Sequence, residues 1–360
     1  MTRAAAGIAG LLALALVAFA MPAGAQEAPG GETAVPERVH FGFNDEWAHH
    51  ADKLGLVARA GADTTRAVIS WRVIEERRGE LDWSRYDALA EDFRAVGTRP
   101  LWVLADAPCW AWTKSEGACA AKGLQPRPPR PTHYDDWARF AAQVAYRYPD
   151  SVAIESWNEA NLDNFFMPKP DPVKAANLAA WANAGVDFAN SLSGTAIPVL
   201  FGGSAPLYET IPEKNEIAYD EFLRAAYDAV PEGGWDGVAM HPFPRFKARE
   251  GFLDDIEEHL DALRAALFDS GAAGTPIWVT EIGLSTAGPF PYSHADQAAG
   301  LRSIYRALES MPDVAAIVVH RLIDGPKELR TAESGWGVVR RNLRPKPALC
   351  ALAAARGAPC

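Results

Sequence analysis

The chain has 360 residues, 22% of them charged and 49% hydrophobic, a composition that excludes a disordered or collagen-like protein. Its formal net charge of −11 argues against a general affinity for nucleic acid or anionic membrane, both of which reward clustered Lys and Arg. The length fits one large α/β barrel, typically about 250 residues or somewhat more, or two ordinary domains.

Arg3 supplies a positive charge, Ile8 to Ala20 is an apolar run, and Ala23-Gly24-Ala25 precedes Gln26. This pattern predicts a secretory signal over residues 1–25. The run is shorter than the ~20 apolar residues a spanning helix needs, which disfavours an uncleaved anchor. Residues 26–36, rich in Gly, Pro and Glu, read as a disordered lead-in, and residues 37–360 as the folded part. The expected location is secreted, extracellular or periplasmic, with no integral membrane segment after cleavage. In an oxidising compartment the four cysteines become disulfide candidates. Two local bridges are predicted, Cys109–Cys119 and Cys350–Cys360, although four cysteines permit three pairings and the sequence cannot choose. No His/Cys cluster has metal-ligand spacing, so neither a metal nor another cofactor is expected.

Short β-rich runs then alternate with amphipathic, Ala-rich helical stretches. Strands are predicted at His40–Asn44, Thr65–Trp71, Pro100–Ala105, Val152–Trp157, Pro198–Gly203, Gly237–His241, Pro276–Glu281 and Val314–His320. The helices between them are predicted at Trp47–Ala60, Ser84–Val96 (Ser84 as N-cap), Thr132–Tyr148 (Thr132 as cap, Asp135 at the capping-box position), Val173–Ser193, Tyr219–Val230, Leu253–Phe268 and Ala295–Glu309. A last helix follows Pro347. Eight strand–helix units in strict alternation predict a single (β/α)8 TIM barrel rather than a doubly wound open sheet. Polar residues at the strand C-terminal ends favour the same choice, because barrel active sites sit at that face. The long stretches Asp106–Pro131 and Pro242–Arg245 would rim it.

Arg66, Asn158-Glu159, His241 and Glu281 fall at strand ends two, four, six and seven. Two carboxylates with Arg, Asn and His at one barrel mouth suit glycoside hydrolysis. That reaction needs one carboxylic acid to protonate the departing oxygen and one carboxylate to meet the oxocarbenium-like centre. Each residue also has a structural reading: Glu159 as a helix-start carboxylate, Glu281 as an ion-pair partner of Arg66, and His241 as a hydrogen-bonded core residue. Trp110 and Trp112, in the third loop, are candidate sugar platforms, or else pack that loop on the barrel. Trp102, Trp157 and Trp278 lie within strands and read as barrel filling or strand–helix packing. Phe165 and Phe166 are candidates to line a product-side subsite, and Glu46 and Glu75 to accept from sugar hydroxyls.

The segment Ile154-Glu155-Ser156-Trp157-Asn158-Glu159 resembles the Trp-Asn-Glu motif of clan A glycoside hydrolases, and Pro276 to Gly283 is similar to the clan's nucleophile strand. Arg66 matches the strand-two Arg that orients the nucleophile. Asp236 to Pro242 resembles the strand-six motif of family 39 and related families. So do Trp71-Arg72-Val73-Ile74-Glu75 with Gly79 and Asp82-Trp83, and Gly335-Trp336-Gly337-Val338-Val339 with Lys346-Pro347-Ala348. The resemblance runs from about residue 40 to 350.

It implies a retaining enzyme with Glu159 as acid/base and Glu281 as nucleophile. Asn158 would contact the 2-hydroxyl and His241 would line the −1 subsite, and the bond cleaved would be β. The expected partner is an oligo- or polysaccharide substrate, with no nucleic acid, and the expected state is a monomer. A transglycosidase with the same site and a non-catalytic glycan-binding barrel are the alternatives. Two departures from the clan pattern stand out. Phe243 replaces the Tyr that contacts the nucleophile, and His320-Arg321 stands where strand eight usually ends in the Trp flooring the sugar site. His320 or Arg321 is therefore a candidate to meet an acidic or amino-substituted sugar.

Overall fold

The computed structural model describes residues 38–44, 51–113, 126–245, 251–326 and 331–360. The proposed signal, the lead-in, Glu46 and Cys119, with the bridge it would make to Cys109, lie outside these residues. Eight parallel strands close into a barrel in sequence order. They are β1 (His40–Asn44), β2 (Thr64–Ser70), β3 (Arg99–Ala105), β4 (Ala153–Asn158), β5 (Val199–Ser204), β6 (Gly237–Met240), β7 (Ile277–Ile282) and β8 (Val314–Val319). Around them lie α1 (Ala51–Arg59), α2 (Trp71–Ile74), α3 (Ser84–Ala95), α4 (Cys109–Trp112), α5 (Tyr134–Arg147), α6 (Pro172–Ser193), α7 (Tyr219–Ala229), α8 (Phe252–Asp269), α9 (His294–Glu309) and α10 (Pro347–Ala355). Among the described residues no helix is long and apolar enough to cross a membrane.

The predicted barrel is therefore present, with local corrections. Trp71 does not end β2 but opens α2, and α4 forms in the third loop. Both are single turns, too short to carry a 3.6-residue period. Ser84 is the first residue of α3 rather than its cap, and the Asp82 carboxylate accepts its backbone N–H at 2.9 Å instead. Thr132 does not cap α5: a 3-10 turn over Pro131–His133 leads into that helix, and no side chain caps its N-terminus. Side chains do cap α6 and α9; in α9, Ser293 accepts from the Asp296 N–H. Asp171 accepts from the Lys174 N–H at the start of α6, with Pro172 in the first turn and Gly194 in the left-handed conformation at the end.

Two apolar layers result. Leu101, Val103, Ala153, Leu200, Ala239, Trp278, Ala316 and Val318 form one buried cluster, with Trp278 stacked 6.0 Å from His40. Leu101 pairs with Ala153, Ala239 with Trp278, and Trp278 with Ala316, so the cluster runs round the barrel on ladder neighbours. The larger cluster fills the space between strands and helices and holds Trp71, Trp102, Trp137, Trp157 and Phe140. Arg356, just past α10, closes the lower end, donating to Asp63 (2.9 Å) and to the carbonyls of Gly61 and Val39. Cys350 and Cys360 are disulfide-bonded, as expected.

Helices α5 and α6 pack closely because Gly185 has no side chain. A Cβ there would sit 2.1 Å from the Ala138 carbonyl oxygen. Gly185→Ala should gain helix propensity yet lower the unfolding free energy by about 1–3 kcal/mol through overpacking. Urea titration of both proteins measures the difference, and an unchanged or raised midpoint would count against this close approach.

Candidate active site

Arg66 is the third of the seven residues of β2, not at the strand's end as expected. It is 3% exposed, and its long side chain meets Asn158, His241 and Glu281 but not Glu159. Its Nε and Nη2 donate to Glu155 Oε2 (2.8 Å) and Oε1 (3.0 Å), and Nη1 to Glu281 Oε1 (2.6 Å) and Asn44 Oδ1 (3.2 Å). Nη2 also donates to Asn158 Oδ1 at 2.7 Å and lies 3.5 Å from His241 Nε2. A planar guanidinium supplies this fork of donors, which a point-charge ammonium cannot. Burial alone would lower the Arg66 pKa, but Glu155 and Glu281 outweigh it and raise the value.

Glu155 is fully buried on β4 and also accepts the Gly203 N–H at 2.7 Å. It was not among the residues singled out from sequence. Its signal was its parity: it lies two residues after the inward-facing Ala153, where an acidic side chain must find a cation inside the barrel. Gly203 on β5 makes room for the cluster, since a Cβ there would stand 2.2 Å from His241 Nε2 and 2.8 Å from Glu155 Oε1.

Glu159 follows β4 with φ 45°, in the left-handed region, and its N–H donates to the Gly203 carbonyl at 2.7 Å. His241 Nδ1 stands 2.9 Å from Glu159 Oε1 and 3.9 Å from Glu281 Oε2. A guanidinium can only donate, so Arg66 favours a His241 tautomer that keeps Nε2 bare and carries its proton on Nδ1, toward Glu159. One ligand atom each from Glu159, His241 and Glu281 lie within 4.8 Å of one another. These three are the described residues that could gather round a cation, but Arg66 already holds Glu281 and its fixed positive charge opposes one.

Glu281 is 8% exposed. Burial pushes its carboxyl up, but the positive ends of His241, His320 and Arg66 hold it well below the ordinary range. His320 Nδ1 lies 3.1 Å from Glu281 Oε2 and also 3.1 Å from Asn44 Nδ2. One ring nitrogen cannot serve both, and an ionised carboxylate selects the protonated, donating state of Nδ1. His320 thus occupies the contact that Phe243 cannot make; the Phe243 ring packs edge-on against His320 at 5.7 Å. Arg321 is 3% exposed and paired with Glu333, whose other oxygen accepts from Trp336 Nε1 at 3.2 Å. Trp336 packs against Phe243 and His320, so an aromatic ring reaches the mouth from the segment after β8 instead of from β8 itself.

Two hollows meet over Glu281. One of about 330 Å³ is lined by Asn44, Arg66, Asp106 and Asn158 among others, and one of about 850 Å³ by Glu159, Phe243, His320 and Trp336 among others. Asn158, Phe165 and Glu281 line both. Trp110 and Trp112 line neither. Trp110 donates to the Glu75 carbonyl and packs on Trp71 and His133, and Trp112 lies under Arg127. Glu75 is buried, accepting from Trp71 Nε1 and the Gly79 N–H, and Phe166 is fully buried beside Trp157.

Removing Arg66 would leave Glu155 and Glu281 buried without their cation. Arg66→Met should cost about 3–5 kcal/mol at pH 7. Because folding lowers the Glu281 pKa, its contribution is present above the ordinary carboxylate range and fades as pH falls through the folded value. The gap between the two proteins in urea melts should therefore narrow toward acid pH, and a pH-independent gap would contradict the ion-pair account.

No family model and no curated protein matches the sequence. Solved structures do match the fold. A family 39 glycoside hydrolase from Bacteroides cellulosilyticus WH2 superposes with a TM-score of 0.63 at 18% identity, over 89% of this chain and 64% of that one, so the chain spans somewhat under two thirds of its length. A monomeric beta-xylosidase from Caulobacter crescentus CB15 gives 0.62 at 18% identity, over 88% and 67%. A GH5_18 enzyme from Streptomyces cattleya in complex with GlcNAc gives 0.60 at 17% identity, over 88% and 79%. This chain thus shares its (β/α)8 fold with glycoside hydrolases of family 39 and GH5_18.

Proposed function

We propose that the protein is a retaining glycoside hydrolase that cleaves β-glycosidic bonds by double displacement. One observation carries this reading: carboxyl oxygens of Glu159 and Glu281 approach within 4.8 Å. Retaining enzymes hold their two carboxyl groups about 5–5.5 Å apart, whereas inverting enzymes need about 6.5–9.5 Å to admit water opposite the leaving group. The likeness to glycoside hydrolase barrels supports the same class. The N-terminal sequence pattern, together with the Cys350–Cys360 disulfide, supports an exported protein. The monomeric beta-xylosidase among its structural neighbours supports a monomer acting on a glycan.

The division of roles follows from the contacts. Glu281 stays ionised beside Arg66 and attacks the anomeric carbon, while Glu159 gives its proton to the glycosidic oxygen. Glu159 then takes a proton from water, which attacks the same carbon and releases Glu281. Asn158 has its Oδ1 held by Arg66, which leaves its NH2 to meet a sugar 2-hydroxyl. His241, donating from Nδ1, aims Glu159, and His320 and Arg66 aim the two oxygens of Glu281.

Glu281→Ala should lower kcat on an aryl β-glycoside by several orders of magnitude. Azide should restore part of the rate and yield the α-glycosyl azide, identified by proton NMR. Glu159→Ala with azide should instead give the β-azide. Wild-type enzyme should release the β-anomer first, and initial release of the α-anomer would rule out double displacement.

The acid limb of kcat/KM against pH tracks the ionisation of Glu281. It should lie below 4.5, the ordinary value for a glutamate, because the surrounding positive groups outweigh burial. Arg66→Lys, which keeps the charge but loses the fork, should move that limb to higher pH. A limb that does not move would remove Arg66 from this role.

A further inference from the structure

The two hollows over Glu281 differ in what they can recognise. Glu159 lines only the larger one. A general acid must lie beside the departing oxygen, so the leaving group belongs in the larger lobe and the reacting sugar extends toward the smaller. Sugar hydroxyls lose their water on binding and each needs a polar partner in return. The smaller lobe supplies such partners in Asn44, Arg85, Asp106 and Asn158, while Arg66 beneath them is fully engaged.

Beyond the catalytic cluster, the larger lobe is walled mainly by Leu162, Phe165, Pro206, Phe243, Pro244 and Trp336, with Glu333 the one further carboxylate among its lining residues. Its two arginines are already engaged. Arg321 pairs with Glu333, and Arg245 pairs with Asp255 and Glu258 while its guanidinium lies 4.0 Å over the Tyr208 ring. A wall of this kind gains from apolar area and offers a second sugar few hydrogen bonds.

We propose that this lobe of about 850 Å³ is an aglycone site for an apolar group. The substrates would then be glycosides of alkyl or aryl alcohols rather than sugar chains. The inference rests on the assignment of Glu159 as the acid, and it carries a readout independent of turnover.

The test uses the full-length enzyme with two series sharing one glycone: methyl, butyl and octyl β-glycosides, and the matching β-disaccharides. The glycone is chosen from a p-nitrophenyl panel, or is glucose if none is cleaved. Dissociation constants come from calorimetry and kcat/KM from product release. Each methylene that enters the lobe is worth about fourfold in affinity, so octyl should bind at least 30-fold tighter than methyl. Octyl should also exceed the disaccharides in kcat/KM by tenfold or more. Leu162→Asn should collapse the octyl-to-methyl binding ratio to below fivefold.

Cleavage of the disaccharides in preference, with no dependence on chain length, would overturn the aglycone site and leave the hydrolase intact. Chain-length-dependent binding without any cleavage would support the apolar lobe and defeat the hydrolase. Neither binding nor cleavage would defeat both.

Discussion

A guanidinium that cannot lose its proton sits at the centre of the barrel mouth, and the arrangement of the other charges follows from that. Arg66 is almost fully buried, so it must be surrounded by acceptors, and it finds them on strands β1, β4 and β7. Glu155 takes two of its N–H groups and has no opening to solvent, so it acts as a counter-ion. Glu281 takes another and, though largely buried, lines both hollows, so the same ion pair holds an anion at their junction. Glu159 makes no contact with the guanidinium and reaches the cluster through His241. Two glutamates whose carboxyl oxygens lie within 4.8 Å are thereby placed in unlike surroundings by whether a fixed cation touches them.

The backbone supports this separation. Gly203 leaves room under His241, so imidazole, guanidinium and Glu155 share a space that any larger residue on β5 would close. The Gly203 amide and carbonyl are both used, by Glu155 and by the Glu159 N–H. Strands β4 and β5 are therefore joined at the mouth by the residues that hold the charges.

The barrel was legible from the alternation of strand and helix, because eight repeats of one period leave few other closures. Asn158, Glu159, His241 and Glu281 were legible as candidates because they are polar residues at or near the ends of apolar strands, and Arg66 because a charge lies within one. Their mutual contacts were not, since sequence places a residue on a strand without saying which neighbour across the barrel it meets. Glu155 was hidden within a strand by its neighbours Ile154 and Trp157. Glu333 and Trp336 were hidden by distance, since they reach the mouth from a segment after β8 that carries no periodic signal. The aromatic residues of the third loop were ambiguous for the same reason. Only the fold shows that Trp110 turns inward onto Trp71. The two departures from the clan pattern, Phe243 and His320, prove to be neighbours: where one lacks a hydroxyl, the other brings a ring nitrogen to the same carboxylate.

The left-handed conformation at Glu159 bears on how this site is maintained over generations. A residue with a Cβ held there works against stability by about 1 kcal/mol, a load that glycine would avoid and asparagine would lighten. Drift under selection for folding alone would tend to replace the glutamate. A glutamate at a position the backbone does not favour is what selection on the chemistry of its carboxyl group would leave.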